Sequence, residues 1–262
     1  MLKKFLPLLT AAAFLQSCSK SINDNHQITE QALSTSTNRS PGGVDLQAGL
    51  IAYYPFNSNA NDIGRKFDGS VQGATLTTDR FGKKNKAYSF DGINDYIYVP
   101  NMNQTYFDNK NFSISLWVSF RNFNSDFPHL LWGENGYLVF YAIGGSNSDY
   151  YSDKIGFYMN EANTPYNTAN GGVQSYSKVS INDWHNVIII KDGSQVKLYI
   201  DGAFSNSGTY YTTGLSLVAG KGLYFGTAAQ SGYTFYLDGK LDDIRIYNRA
   251  LQVTEVINLS QN

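Results

Sequence analysis

The sequence of 262 residues contains one cysteine, Cys18, and three histidines, His26, His129 and His185. A lone thiol closes no intramolecular disulfide, so no disulfide framework staples this chain. The histidines show no i, i+4 ligand spacing, which argues against a zinc centre. Glutamate occurs four times, at Glu30, Glu134, Glu161 and Glu255, so paired carboxylates for acid–base work would have to come mostly from aspartate. No Gly-x-Ser-x-Gly elbow is present, and no cysteine follows residue 18. Nucleophilic catalysis therefore has no evident carrier. Neither charge sign predominates: 20 Lys+Arg face 21 Asp+Glu, for a net charge of -1. A chain so balanced has no overall attraction to polyanions, which excludes a nucleic-acid partner. No segment from Leu50 to Ala250 repeats its apolar residues at 3.6, so βαβ architectures are excluded as well.

What the sequence does contain points to strands and turns. It has 20 Tyr, 16 Phe, 24 Gly and 17 Asp, a mixture suited to pleated surfaces and tight reversals. Length alone allows one all-β sandwich of about 200 residues.

The first residues read as a targeting segment. Lys3 and Lys4 precede an apolar run from Phe5 to Leu15 that is too short to span a bilayer. The run closes on Leu15-Gln16-Ser17-Cys18, which resembles the lipobox of bacterial lipoproteins. That resemblance implies cleavage before Cys18, lipidation of Cys18, and an exported protein held at the outer membrane or cell surface. A plain secretory signal with an incidental cysteine is the alternative. Ser19 to Ala48 has no Phe, Trp or Tyr and is rich in Ser, Thr, Asn and Gln. Such a stretch cannot bury enough apolar surface to order itself, and it reads as a tether. The expected organisation is a signal peptide over 1–18, a linker over 19–48 and a single domain over 49–262.

Within the domain, Phe112 to Phe120 alternates over nine residues. Phe112, Ile114, Leu116, Val118 and Phe120 share one face; Ser113, Ser115, Trp117 and Ser119 share the other. Gln195 to Ile200 alternates likewise, and Val187 to Ile190 is apolar throughout, as a strand covered on both sides would be. Asp-Gly pairs at residues 68–69, 91–92, 192–193, 201–202 and 238–239 are expected to reverse the chain between strands. About a dozen strands suit two packed antiparallel sheets, and Leu251 to Leu259 is expected to form a short terminal helix.

Three blocks carry a family resemblance. The first runs from Leu50-Ile51-Ala52-Tyr53-Tyr54-Pro55-Phe56-Asn57 through Asn61-Asp62 to Ala87-Tyr88-Ser89-Phe90-Asp91-Gly92. The second is Trp184-His185-Asn186-Val187 with Leu198-Tyr199-Ile200-Asp201-Gly202, and the third is Asp238-Gly239-Lys240-Leu241-Asp242-Asp243-Ile244 through Leu251. In this order they resemble bacterial laminin-G-like domains of the concanavalin A-like lectin/glucanase superfamily. The resemblance implies an all-β, two-sheet antiparallel jelly-roll sandwich. The stretch from Phe123 to Lys178 matches least.

Such domains often hold a structural Ca²⁺. Asp242 shares strand parity with Ile244 and Ile246, so a core-facing Asp242 would need a partner or a cation. Asp62 is expected to approach it, with Asp91 and Asn57 as further oxygen donors of the kind Ca²⁺ prefers. The plain alternative is that Asp242 bonds backbone amides or Arg245 and that Asp91 is a turn residue.

Concanavalin A-like glycoside hydrolases carry a Glu-x-Asp-x-x-Glu strand motif, which is absent here. Binding without catalysis is therefore the leading expectation, with carbohydrate as ligand. Sugar rings need flat aromatic faces and hydrogen-bonding neighbours. Trp132, Tyr150, Tyr151, Tyr166 and Tyr176 are the candidates, with Tyr210-Tyr211 beyond them and Asn147, Asp149, Asn163 and Asn167 nearby in sequence. Individually, each of these rings could equally be packing across strands. A protein-binding or adhesive module is the alternative function, and a glycoside hydrolase the weaker one.

Overall fold

A computed structural model describes residues 43–108, 110–123, 127–143, 153–160, 172–210, 219–228 and 235–262. Cys18, and the linker as far as residue 42, lie outside the described residues.

Short alternating segments become fifteen strands among the described residues. These are β1 (Leu50–Tyr54), β2 (Ser70–Gln72), β3 (Thr75–Thr77), β4 (Ala87–Asp91), β5 (Tyr96–Pro100), β6 (Phe112–Phe120), β7 (His129–Gly133) and β8 (Leu138–Ile143). There follow β9 (Lys154–Met159), β10 (Gly172–Gln174), β11 (His185–Asp192), β12 (Gln195–Ile200), β13 (Ala203–Thr209), β14 (Gly222–Phe225) and β15 (Asp238–Tyr247). One helix, α1 (Val253–Gln261), follows β15. All ladders between these strands are antiparallel.

The strands form two sheets. One has eight strands in the order β13-β12-β11-β6-β15-β4-β3, with β1 pairing the end of β15 beyond β4. The other has seven, in the order β10-β9-β8-β7-β14-β5-β2. Their inner faces meet in one core. The five apolar positions of β6 lie in it fully buried, with Ile97, Val99, Phe140, Phe157, Leu223 and Phe225 contributed by the seven-stranded sheet. Each such side chain contributes about 1.5–3 kcal/mol through burial. The fold is the expected all-β sandwich.

The eight-stranded sheet is covered outside as well. α1 lays Val256 and Leu259 over Ile188 and Ile190 of β11 and Tyr199 of β12, and Leu46 packs onto the same cluster. This explains why Val187 to Ile190 is apolar on both faces. A capping box between Gln252 and Glu255 starts the helix, and Arg249 pairs with Glu255 at 2.5 Å. Beneath this segment the outer side of β6 needs small residues: Ser113 Oγ donates to the Arg249 carbonyl and accepts from Leu251 N.

The Asp-Gly pairs divide by role. Those at 192–193 and 201–202 make the hairpin turns of β11-β12 and β12-β13, and Asp201 and Gly202 both have positive φ. The pair at 91–92 instead carries the chain from β4 in one sheet to β5 in the other. The pair at 68–69 leads into β2. Asp238-Gly239 lies inside β15, contrary to the expected reversal: a Cβ on Gly239 would come within 2.5 Å of the Ser119 carbonyl, so glycine permits strand approach here.

Candidate functional site

The residues expected to gather a cation are dispersed. Asp62 accepts from Tyr53 N at 2.9 Å and from Lys66 N at 3.2 Å, which ties the turn after β1 to the free edge of that strand. Asp242 belongs to β15, on the opposite edge of β1. It does not face the core, because β15 bulges at Asp243, whose φ is +52°. The extra residue shifts the alternation: Leu241, Ile244 and Ile246 point inward, while Asp242 pairs with Trp117 on the outer face. There it meets Arg80 at 2.6 Å, and Asp243 meets the same guanidinium at 2.7 Å. Arg245 pairs with Asp243 rather than with Asp242. Burial, and then the neighbouring Asp243 charge, raise the Asp242 carboxyl to about 7. Asp91 closes its turn through Ile93 N and Asn94 N. Asn57 lines a small cavity of about 210 Å³ with Asp242, Asp243 and Arg80. As placed, Asp62, Asp242, Asp91 and Asn57 do not fit one Ca²⁺ cage, because Asp62 and Asp242 are separated by β1 and both are already satisfied.

Of the aromatic candidates, Tyr150, Tyr151, Tyr166 and Tyr211, with Asn147, Asp149, Asn163 and Asn167, lie outside the described residues. Tyr210 is part of the core. Trp132 is only 3% exposed, covered by Ala228 and its aromatic neighbours. Tyr176 is 72% exposed, close to β13 through its backbone bond to Ser205.

The outer face of the seven-stranded sheet holds an aromatic surface assembled by cross-strand register. Tyr98 of β5 stands opposite Tyr224 of β14, Tyr224 opposite Trp132 of β7, Trp132 opposite Val139 of β8, and Val139 opposite Tyr158 of β9. Tyr96 joins Tyr224 from β5, with ring centroids 5.7 Å apart, and Tyr98 lies 4.7 Å from Tyr224. Tyr96, Tyr98, Tyr141, Tyr158 and Tyr224 are half-buried. Two glycines make room for rings on the sheet. A Cβ on Gly156 would meet Tyr141 at 2.4 Å, and one on Gly222 would meet Tyr98 at 2.6 Å. At both positions the ring occupies the space a side chain would need.

A family model described as the concanavalin A-like lectin/glucanases superfamily matches residues 91–257. The chain belongs to this superfamily. Solved structures share the fold at low identity. Domain 4 of a GH43 extracellular arabinanase from Geobacillus stearothermophilus, solved with arabinotriose, is 21% identical with a TM-score of 0.61, covering 82% of this chain and 99% of that one. The binding domain of Paraclostridial Mosquitocidal Protein 1 is 19% identical, TM-score 0.61, over 81% of this chain and 52% of that chain. A Trypanosoma rangeli sialidase bound to a difluoro-KDN is 18% identical, TM-score 0.62, over 87% and 35%. This chain thus spans about half of the second structure and a third of the third. No curated protein sequence matches.

In this concanavalin A-like domain the tyrosine patch has a polar companion. Glu134, in the 3-10 turn after β7, is held by Lys221 N at 2.6 Å through Oε2. Burial, and then the Glu134 charge, raise the pKa of the Tyr98 hydroxyl; burial, the Tyr98 hydroxyl and Glu134 do the same for Tyr224. Both phenols therefore stay protonated at neutral pH and can donate hydrogen bonds, while the carboxylate accepts them. Farther along, Gln174 Nε2 donates to Tyr141 Oη at 3.3 Å. Apolar ring faces beside hydroxyl donors and a carboxylate acceptor form a shallow amphipathic surface.

Sequence reasoning missed these tyrosines. Tyr96-Ile97-Tyr98-Val99 does alternate, and that period marks an aromatic outer face. What no local pattern reveals is that β14, over a hundred residues later, brings Tyr224 beside it.

Proposed function

We propose that the domain is a non-catalytic carbohydrate-binding module whose ligand lies on the outer face of the seven-stranded sheet. The observation that carries this reading is the Tyr96, Tyr98 and Tyr224 cluster, with the Tyr98 ring packed on Gly222 and the Glu134 charge acting on it. A sugar offers C–H faces to such rings and hydroxyls to such a carboxylate. Similarity to the arabinanase domain solved with arabinotriose supports the same reading, since it extends over nearly all of that domain. Affinity electrophoresis or calorimetry against arabinan and other neutral polysaccharides tests it. Tyr98→Ala with Tyr224→Ala should weaken binding roughly 10- to 100-fold, about 1–3 kcal/mol for two stacking faces. Unchanged affinity in that pair, with wild-type melting, would remove the sheet face as the site.

The module is proposed to act at the cell surface, tethered through lipidated Cys18. The motivation is the Leu15-Gln16-Ser17-Cys18 sequence behind a basic, apolar start. Wild-type protein should partition into the detergent phase after expression, and Cys18→Ala should not; equal partitioning of both would end the anchor proposal.

A further inference from the structure

A cleft that shares no lining residue with the tyrosine face opens where β1 begins and β15 ends. It has a volume of about 880 Å³ and is lined by Lys66, Lys110, Tyr106, Ile51, Asn111 and Asn248, among others, and no carboxylate is among its lining. We propose that this cleft binds an anionic saccharide, one bearing carboxylate or sulfate groups.

Both lysine ammoniums contact neutral groups, two rings and a backbone carbonyl. Lys66 Nζ lies 5.0 Å from the ring centroid of Phe67 and 5.5 Å from that of Tyr106. The acid nearest in sequence, Asp68, pairs with Arg65 instead. Lys110 Nζ spends one N–H on the Thr105 carbonyl at 2.7 Å, which leaves two donors. The backbone of Lys110 is held in turn by Lys191, a buried third ammonium that donates to the Lys110 and Gly193 carbonyls. Asp192 is engaged by the Asn111 amide at 3.0 Å. Two ammonium groups in a lining that holds no carboxylate give a concave surface a positive potential, which favours an anion. The volume falls within the range of about 300–1,000 Å³ usual for small-ligand sites, enough for a few sugar rings. Tyr106, half-buried, offers a ring to one of them.

Affinity electrophoresis through gels containing polygalacturonate, dextran sulfate or neutral arabinan, at low and high salt, tests this. Wild-type protein should be retarded by an anionic polymer. Retardation should weaken at least about tenfold in the Lys66→Ala, Lys110→Ala double variant and on adding salt, as partly screened charge contacts do. Tyr98→Ala with Tyr224→Ala should leave it intact, and arabinan binding should ignore the lysines. Both lysines are exposed, so a thermal melt should show the double variant folded. No retardation by either anionic polymer overturns the proposal, as does retardation that survives loss of both lysines. Loss of anion binding in the tyrosine pair alone also overturns it and moves the anion to the sheet face. Failure of the sheet-face reading appears separately, as neutral binding indifferent to the tyrosines.

Discussion

Arg80 joins two aromatic rings to two carboxylates at the bulge of β15. Its guanidinium lies 4.5 Å from the Phe81 ring centroid and 4.6 Å from that of Trp117, and its charge is shared by Asp242 and Asp243. The side chain is only 8% exposed. Removing it leaves two carboxylates against the bulge of β15 with Arg245 as the remaining cation on one of them. Arg80→Ala should therefore destabilise the fold by about 3–5 kcal/mol, the usual consequence of breaking a buried pair. Urea denaturation measures it, and a loss below about 1 kcal/mol would contradict the role assigned here. Arg80→Lys should recover only part of the loss, because a point charge replaces a planar fork that stacks and pairs at once. The same residue explains why the Asp242 expectation changed: strand parity places a side chain correctly only where the ladder has no extra residue.

At the scale of elements, the aromatic outer face depends on what its strands leave out. Gly156 of β9 stands opposite Tyr141 of β8, whose ring occupies the space a Cβ would need. Gly156→Ala should lift that ring, costing about 1–3 kcal/mol in strain and repacking, and should shift the near-ultraviolet circular dichroism of the tyrosines. An unchanged spectrum with wild-type stability would show that the ring does not rest there. α1 illustrates the converse. Its apolar residues, Val256 and Leu259, were visible in the sequence as a short helical stretch. Its destination was not, since the sheet it covers is formed by β11 and β12, some sixty residues earlier.

The pH dependence of the whole molecule follows in part from His129. Burial lowers its pKa to about 4, only partly opposed by the bond from Nδ1 to the Phe127 carbonyl, and its ring stacks on Phe235 at 5.0 Å. The fold therefore prefers neutral imidazole. Its contribution is complete above the unfolded value of about 6.5 and is lost as pH falls from there to about 4, an amount near 3 kcal/mol. Stability measured by denaturant from pH 7 to pH 4 should fall more steeply in the wild type than in His129→Gln by about that amount. Parallel curves would show that His129 titrates as it does in the unfolded chain.

How much could be read in advance depended on whether the cause was local. Period-two alternation in Phe112 to Phe120, doubly apolar Val187 to Ile190 and the turn at Asp201-Gly202 follow from steric and solvation rules acting over a few residues, so the all-β sandwich was legible in the sequence. Which aromatic residues the sheets would bury was not, because an aromatic side chain looks alike in sequence whether it packs inside or faces outward. Trp132 became buried and Tyr210 joined the core, while Tyr98 and Tyr224 became a surface. Which face a tyrosine shows depends on its cross-strand neighbours, and in a sandwich those neighbours come from distant parts of the chain. The same holds for Asp242: its chemistry was written in the residue, but its partner, Arg80, was selected only when the bulge in β15 turned it outward beside Trp117. Tertiary structure decided these points because register, bulges and sheet order are properties of paired strands, and no single strand contains them.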